Sequence, residues 1–412
     1  MEDLTVNQPR ALLVAADLGE YDVEASLEEL AELADTAGAQ VIAKMSQKRS
    51  EFDSATCIGS GRLEEIAQFV KDQEVDLLIF DHELSASQLR NIEAACETAV
   101  IDRTMLILDI FAQRAKSSEG RLQVELAQQR YRLPRLSGLG TSLSRLGGGI
   151  GTRGPGETKL ETDRRHIRRR IQTLESQLDE MEKRRKLLRR RRKKDGVLVV
   201  TIVGYTNVGK STLLNALTDA GVLEEDKLFA TLDPTSRGLD LPDGRRVMLI
   251  DTVGFISRLP HHLVEAFKST LEEAVNADLI LNLCDISNPQ MEQQKKVTEQ
   301  LLAELGIQDT PIITVLNKCD RVSGVDFFMG ENSVAISAKT GFGFEALLQK
   351  IAQKLIETHR RLTLLIPYGQ EGLLHEIRRE GKVFQEEYTQ DGCLADVLVD
   401  IKLLYKVSDY IQ

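Results

Sequence analysis

The eight residues GYTNVGKS, from Gly204 to Ser211, constrain the fold of this chain more than any other feature of its sequence. They follow the apolar run VLVVTIV and precede TLLNAL, so a buried strand, a glycine-rich turn and a helix stand in that order. In a phosphate-binding loop of this spacing, the glycines let backbone N–H groups curl inward and the following helix adds its positive dipole. The motif therefore predicts an α/β domain built around a phosphate-binding loop (P-loop).

The residue types in and after this loop suit a nucleotide carried with Mg²⁺. Lys210 is placed to reach the β- and γ-phosphates, and the Ser211 hydroxyl is a ligand for the metal. MLIDTVGF then puts Asp251 at the end of a second apolar run, where a carboxylate can hold Mg²⁺ through water, and Gly254 offers a backbone N–H to the γ-phosphate. The other residues predicted on the phosphate side are Gly204, Tyr205, Thr206, Asn207, Val208, Gly209, Thr252 and Val253.

Two later segments, ITVLNKCD and ISAKT, predict which base is bound. The carboxylate of Asp320 can accept both N–H donors of guanine, whereas adenine lacks the second donor and would leave a buried charge unpaired. The backbone N–H of Ala338 is predicted to meet the guanine carbonyl oxygen. The residues assigned to this guanine site are Asn317, Lys318, Cys319, Asp320, Ser337, Ala338 and Lys339.

The segment LFATLDPTSR lies between the phosphate loop and Asp251, where a switch threonine completes the Mg²⁺ shell. Thr231 and Thr235 both fit by spacing, and the residues alone do not choose between them. Phe255 occupies the position at which Ras-like enzymes carry a glutamine that orients the attacking water. A phenyl ring cannot do this, so slow unaided hydrolysis is predicted and the catalytic group stays unassigned.

The chain has 412 residues, which is too long for a single hydrophobic core. Alternating strand-like and helix-like runs predict an α/β fold with an N-terminal parallel α/β subdomain over residues 1–102. A helical hairpin with a glycine-rich tip loop is predicted over 103–195, a GTPase domain over 196–361 and a small C-terminal α/β domain over 362–412. The stretch IGSGRLEEI faintly resembles a phosphate loop, but its pattern favours the start of a helix.

A second glycine-rich stretch, LGGGIGTRGPGETKLETDRR, runs from Leu146 to Arg165 and leads into a helix predicted from about Glu157 to Arg192. Apolar residues from Leu160 to Leu188 follow a heptad-like spacing, which predicts a seam packed on the preceding helix. The helix ends in KRRKLLRRRRKK, although the whole chain carries a net charge of −11. This asymmetry indicates one basic element on an acidic body, with a merely solvated helix end as the alternative.

The segments GGGIGTRGPGETKLETDRR, GYTNVGKSTL, LFATLDPT and DTVGFI, in this order, resemble the HflX family of bacterial ribosome-associated GTPases in the Obg-HflX superfamily. The resemblance spans nearly the whole chain, and the family also has a hydrophobic residue at the position of Phe255. It implies binding to the large ribosomal subunit and its rRNA, and GTP-dependent splitting of stalled ribosomes under stress. It also implies Mg²⁺ as cofactor, with Ser211 and Thr231 as ligands. The residues it places along the nucleotide are Phe229, Ala230, Thr231, Leu232 and Asp233.

With GTP bound elsewhere, the glycine-rich tip is interpreted as a segment that meets RNA phosphates. It holds eight glycines between Gly138 and Gly156, with arginines beside them. The resemblance suggests the peptidyl-transferase region as its target, and a flexible connector is the alternative. The candidate RNA contacts are Arg145, Gly149, Arg153 and Gly156.

The sequence predicts a cytoplasmic monomer, with peripheral membrane attachment kept as an alternative. No apolar run reaches the roughly 18 residues of a membrane span, and the N-terminal residues lack the pattern of a signal peptide. The five cysteines are scattered, which predicts reduced thiols.

Three rival functions remain open at this point. One is an ATP- or GTP-driven protein that remodels ribosomal RNA, but NKCD and SAK favour guanine and no second helicase domain is visible. Another is a partner in tRNA modification, which would need a cofactor domain or a reactive cysteine. The third is a binding protein whose GTPase is inactive, which Phe255 leaves open.

Overall fold

A computed structural model describes residues 8–136, 155–194, 196–218, 228–229, 232–260, 263, 272–307, 309–322, 330–400 and 403–412. The predicted site residues Ala230 and Thr231, and the RNA candidates Arg145, Gly149 and Arg153, lie outside these ranges. The chain divides into two compact units. Unit 1 comprises Met1–Asp179, Lys227–Phe229 and Leu259–Ala266, and unit 2 comprises Glu180–Asp226, Ala230–Arg258 and Phe267–Gln412.

Unit 1 contains a four-stranded parallel sheet in the order β2-β1-β3-β4, as the alternation of strands and helices predicts. Its elements are β1 (Arg10–Asp17), α1 (Val23–Thr36), β2 (Gln40–Lys48), α2 (Ser60–Asp72), β3 (Leu77–Phe80), α3 (Ala86–Cys96) and β4 (Ala99–Asp102). Polar residues begin two of the helices: Asp22 accepts from the Ala25 N–H, and Ser85 forms a capping box with Gln88. The IGSGRLEEI stretch starts α2, so its interpretation as a helix start is confirmed.

Within the described residues, three further helices follow the sheet: α4 (Arg103–Arg114), α5 (Ser118–Arg135) and α6 (Pro155–Lys194). α6 is 40 residues long and begins two residues before the predicted Glu157, so Gly156 lies in its first turn, after a proline suited to a helix start. Ion pairs join α5 to α6, from Glu125 to Arg170 at 2.6 Å and from Arg130 to Glu175 at 2.7 Å.

The predicted apolar seam of α6 is only partly confirmed. Leu174, near its middle, is completely buried, as a seam residue should be. Leu188 is 58% exposed, so the extension of the seam to this residue was wrong. The apolar spacing continues into the basic run, but Leu187, next to Leu188, is also exposed, at 61%. An apolar repeat is buried only where a partner surface accompanies it.

Unit 2 contains a six-stranded sheet in the order β10-β9-β8-β5-β7-β6, parallel except for the edge strand β6. Every residue of the central strand β5 is buried, as expected for a parallel strand covered on both faces. The strands are β5 (Leu198–Gly204), β6 (Thr235–Asp240), β7 (Arg246–Asp251), β8 (Leu279–Asp285), β9 (Ile312–Asn317) and β10 (Ser333–Ala335). The helices in the described part of this domain are α7 (Lys210–Thr218), α8 (Met291–Glu304) and α9 (Phe344–Thr358).

The chain ends in a three-stranded antiparallel sheet in the order β11-β13-β12, which belongs to unit 2. Its elements are β11 (His359–Ile366), α10 (Glu371–Glu380), β12 (Lys382–Tyr388), β13 (Cys393–Asp400) and α11 (Leu404–Val407). The predicted domain boundary after residue 361 therefore falls inside a strand. Across the described part of the chain, no helix has the length and apolar character to cross a membrane.

Candidate nucleotide site at the carboxyl edge of the central sheet

The phosphate loop leaves the end of β5 at Gly204 and enters α7 at Lys210. This is the sheet edge at which open α/β folds bind ligands, because the carboxyl ends of parallel strands meet there. Gly209 has a φ of +93°, and a Cβ built on it would lie 2.5 Å from Nδ2 of Asn317. Only glycine suits that position, since a side chain would be both strained and in collision.

Lys210 is buried beneath its own loop. Its ammonium donates hydrogen bonds to the carbonyl oxygens of Tyr205, at 2.7 Å, and Gly204, at 3.3 Å. Burial lowers the pKa of Lys210 to about 8, and the nearby Asp251 carboxylate partly opposes this shift. A desolvated cation at this point gains from an anion brought beside it, which is what a phosphate group supplies.

Ser211 and Asp251 stand side by side, as the two motifs predict. The Ser211 hydroxyl donates to Oδ2 of Asp251 at 2.8 Å, and Asp251 is fully buried at the end of β7. The neighbouring Thr252 is held by a hydrogen bond from its hydroxyl to the carbonyl of Ile202 at 2.8 Å. In the described ranges, no group of three or more acidic, histidine or cysteine residues could hold a metal by itself. Hydroxyl and carboxylate oxygens fit Mg²⁺ that takes its remaining ligands from phosphates and water.

Asn317 connects the phosphate loop to the segment that carries Ala338. Its side-chain amide donates to the carbonyl of Val208 at 2.8 Å, and its side-chain oxygen accepts from the Ala338 N–H at 2.9 Å. The side chain is almost wholly buried, so these bonds satisfy polar groups that water cannot reach. Three segments far apart in the sequence are thereby fixed in one arrangement.

Lys318 occupies a left-handed backbone conformation, with a φ of 63°, and turns back toward the phosphate loop. Its ammonium donates to the carbonyl of Asn207 at 2.9 Å and forms an ion pair with Asp285 at 2.7 Å. Asp285 was not predicted as a site residue, although it ends the apolar run LILNLCD just as Asp251 ends its own strand. A carboxylate at the end of a buried parallel strand was the signal that could have found it.

Asp320 lies in a short 3₁₀ turn, Cys319–Arg321, with its side chain exposed. A hydrogen bond from the Ser337 hydroxyl lowers the pKa of Asp320, and the positive charges of Arg321 and Lys339 act in the same direction. The carboxylate therefore stays ionised and ready to accept hydrogen bonds. Cys319 packs against a small hydrophobic cluster that includes Leu316 and Cys284.

The segment LFATLDPTSR, which holds the two candidate switch threonines, is described only in part. Phe229 has a φ of 53°, is 2% exposed and meets Phe111 edge to face, with 4.7 Å between ring centres, inside unit 1. The N–H of Leu228 donates to the Thr36 hydroxyl at 3.3 Å in the same unit. The ring of Phe229 thus has a packing role that the motif did not predict. Leu232 is buried, and Asp233 is half-buried.

Thr235 is the first residue of β6 and pairs with Asp251 of β7 in the antiparallel ladder. Phe255 is also fixed: its ring is only 2% exposed and its backbone forms an isolated bridge with Tyr205. An apolar ring in this setting offers no hydrogen bond to water. Both its apolar ring and its burial therefore make Phe255 unsuited to orient the attacking water.

A phosphate loop tied through a buried asparagine to the segment that carries Ala338, on the carboxyl edge of one sheet, is the arrangement of a P-loop GTPase. A family model described as "50S ribosome-binding GTPase" matches residues 199–318. Models described as "GTP-binding GTPase N-terminal" and "GTP-binding GTPase Middle Region" match residues 24–112 and 114–192.

Curated relatives narrow the class to one family. GTPase HflX of Caldanaerobacter subterraneus subsp. tengcongensis is 52% identical over 412 residues, covering 100% of this chain and 96% of the relative. GTPase HflX of Escherichia coli K12 is 42% identical over 371 residues, covering 89% and 87%. A solved GTP-binding protein from Sulfolobus solfataricus in complex with GDP is 26% identical, with a TM-score of 0.45 and coverage of 85% and 99%. The chain belongs to the HflX family and is a GTP-binding GTP hydrolase.

Proposed function

We propose that this GTPase binds the large ribosomal subunit through its rRNA and uses GTP to split stalled ribosomes under stress. The observation that carries the proposal is the basic end of α6. Arg190 and Arg191 are exposed there, as are Lys183 and Arg184, in a chain whose net charge is −11. Clustered, solvated cations on an acidic protein suit a polyanion such as RNA.

Not every arginine of this run faces solvent. Nη2 of Arg189 lies 2.6 Å from Oε2 of Glu272, and Arg192 donates to both carboxylate oxygens of Glu273 at 3.4 Å. Arg185 adds a longer contact with Glu272 at 3.7 Å. The four arginines from Arg189 to Arg192 therefore do not act as one block. Alternate faces of this part of α6 serve the fold of unit 2 and, we propose, the RNA.

In the nucleotide site we propose that Lys210 and the loop from Gly204 to Ser211 hold the phosphates, and that Asp320 and Ala338 read guanine. Ser211 and Thr231 are the proposed Mg²⁺ ligands. Thr235 is held in the β6–β7 ladder, and the family resemblance assigns the switch position to Thr231, so we propose Thr231 rather than Thr235 as the ligand. When bound, Mg²⁺ neutralises charge that develops on the β- and γ-phosphate oxygens.

The buried ring of Phe255 cannot orient the attacking water, so we propose that the ribosome, or another loop, completes the catalytic group. The test is GTP turnover measured with and without purified large subunits, with small subunits as the matched control. We expect slow turnover of the protein alone and a marked increase with large subunits only. Equal rates in all three conditions would contradict ribosome stimulation. Turnover of ATP at a rate similar to that of GTP would support the rival RNA-remodelling function.

Binding itself is tested by cosedimentation with large subunits in the presence of a non-hydrolysable GTP analogue or GDP. We expect the analogue to support binding more strongly than GDP. Splitting is tested by light scattering of intact ribosomes after the protein and GTP are added. Binding without splitting would reduce the proposal to a ribosome-bound GTPase of another role.

A further inference from the structure

We propose that Tyr205, through its side-chain hydroxyl, positions the segment Gly254–Ser257 against the phosphate loop and thereby favours GTP over GDP. The assignment makes Tyr205 a positioning residue. It concerns the established GTPase activity and does not depend on any ribosomal partner. The motif predicts Tyr205 only as a member of the phosphate loop, where its backbone was expected to matter.

Two backbone hydrogen bonds first bring the two loops together. The N–H of Phe255 donates to the carbonyl of Gly204 at 3.1 Å, and the N–H of Thr206 donates to the carbonyl of Phe255 at 2.8 Å. These bonds form a parallel bridge between Tyr205 and Phe255. Any residue at position 205 could make this bridge, because it uses no side-chain atom.

The Tyr205 hydroxyl then fixes the segment at a second point. The N–H of Ser257 donates to the Tyr205 hydroxyl oxygen at 2.6 Å, and this oxygen lies 2.7 Å from the Ser257 hydroxyl oxygen. Tyr205 is only 5% exposed, so water has little access to replace these bonds. A bridge at residue 255 and a side-chain anchor at residue 257 together restrict the backbone far more than either alone.

The residue whose position this restraint controls is Gly254. A Cβ built on Gly254 would lie 2.9 Å from Nζ of Lys210 and 2.9 Å from Cα of Thr206. The Gly254 backbone therefore lies directly against the lysine that, in this motif, reaches the β- and γ-phosphates. GDP has no γ-phosphate, so holding Gly254 here benefits GTP and leaves GDP nearly unaffected.

The test compares Tyr205→Phe, which keeps the ring and removes the hydroxyl, with Tyr405→Phe, the same change at a tyrosine that is 74% exposed. Fluorescent GDP and a fluorescent non-hydrolysable GTP analogue report the two affinities. Losing the hydroxyl removes up to two hydrogen bonds, so we expect Tyr205→Phe to weaken the GTP analogue by about five- to tenfold. GDP affinity should stay within about twofold, and Tyr405→Phe should change neither.

Ser257→Ala is the second variant, and it removes only the hydroxyl contact while its backbone N–H remains. We expect a smaller loss of preference for GTP over GDP, about two- to threefold. In the double variant Tyr205→Phe/Ser257→Ala, the fold-loss of this preference should be less than the product of the two single fold-losses. If Tyr205→Phe fails to fold, the result for Ser257→Ala alone tests the proposed role of the Tyr205 hydroxyl. Equal weakening of GTP analogue and GDP would show a general structural role and overturn the proposal. An unchanged preference in either folded variant would overturn it too.

Discussion

The division of the basic run on α6 gives the sharpest prediction, because one helix supplies both the test and its control. Arg190→Gln with Arg191→Gln removes two exposed charges, whereas Arg189→Gln with Arg192→Gln removes two that are ion-paired within unit 2. Both double variants change the net charge by the same amount and lie within four consecutive residues. We nevertheless expect Arg190→Gln/Arg191→Gln to weaken binding to RNA and Arg189→Gln/Arg192→Gln to lower the stability of unit 2.

The exposed pair is expected to lose RNA contacts and little else. Each phosphate contact contributes a slope of about 0.9 in the logarithm of affinity against the logarithm of salt, so two contacts contribute about 1.8. Over a fourfold rise in salt, the gap in Kd between wild type and Arg190→Gln/Arg191→Gln should therefore narrow by about twelvefold. Stability should change by less than about 0.5 kcal/mol, since exposed substitutions are usually tolerated.

The paired arginines are expected to show the opposite pattern. Their side chains are 15% and 27% exposed, and those of Glu272 and Glu273 are 20% and 15% exposed. Breaking a fully buried pair costs about 3–5 kcal/mol and an exposed pair less than about 1 kcal/mol. For these partly buried pairs we expect the free energy of unfolding of unit 2 to fall by an intermediate amount, about 1–2 kcal/mol per arginine. The salt slope of RNA binding should stay close to that of wild type.

Cosedimentation with large subunits across a salt series and denaturant unfolding of each variant measure the two effects. The proposed division of the basic run is refuted if both variants show the same salt slope and the same stability. It is also refuted if the exposed pair binds large subunits as tightly as wild type at low salt. In the first case, the contacts with Glu272 and Glu273 do not make Arg189 and Arg192 differ in role from Arg190 and Arg191. In the second case, the exposed arginines do not contact RNA.

Three other predictions concern the nucleotide site and the glycine-rich loop. Asp320→Asn should weaken GTP and favour xanthosine nucleotides, whose C2 oxygen accepts the new amide donor; competitive binding measurements that still prefer GTP would refute the base assignment. Ser211→Ala and Thr231→Ala should each impair Mg²⁺-dependent GTP binding or turnover, and Thr235→Ala much less; the reverse order for the threonines would exchange their roles. Replacing residues 138–154 by a short Gly-Ser linker should leave nucleotide affinity intact and reduce ribosome splitting, and unchanged splitting at equal occupancy would make the loop a connector.

Those parts of the site that depend on neighbouring residues could be predicted from the amino-acid sequence. A phosphate loop is a local device: glycines permit the turn, and the strand before it and the helix after it set its direction. The parallel sheet of unit 1 likewise follows from alternating strands and helices. The start of a helix within IGSGRLEEI was predicted correctly for the same reason, since its signal lies within a few residues.

Which distant residues share the site depends on how the strands and loops pack together, and local sequence patterns do not show this. Asn317 contacts Val208 across 109 positions because β9 and β5 flank β8 in a strand order that does not follow the chain. The strand order likewise brings Tyr205 into contact with Ser257. The burial of Phe229 against Phe111 is a further case, and so is the split between paired and exposed arginines on α6. Residue types show what a side chain can do, but its partner is chosen by the packing of elements that the sequence keeps far apart.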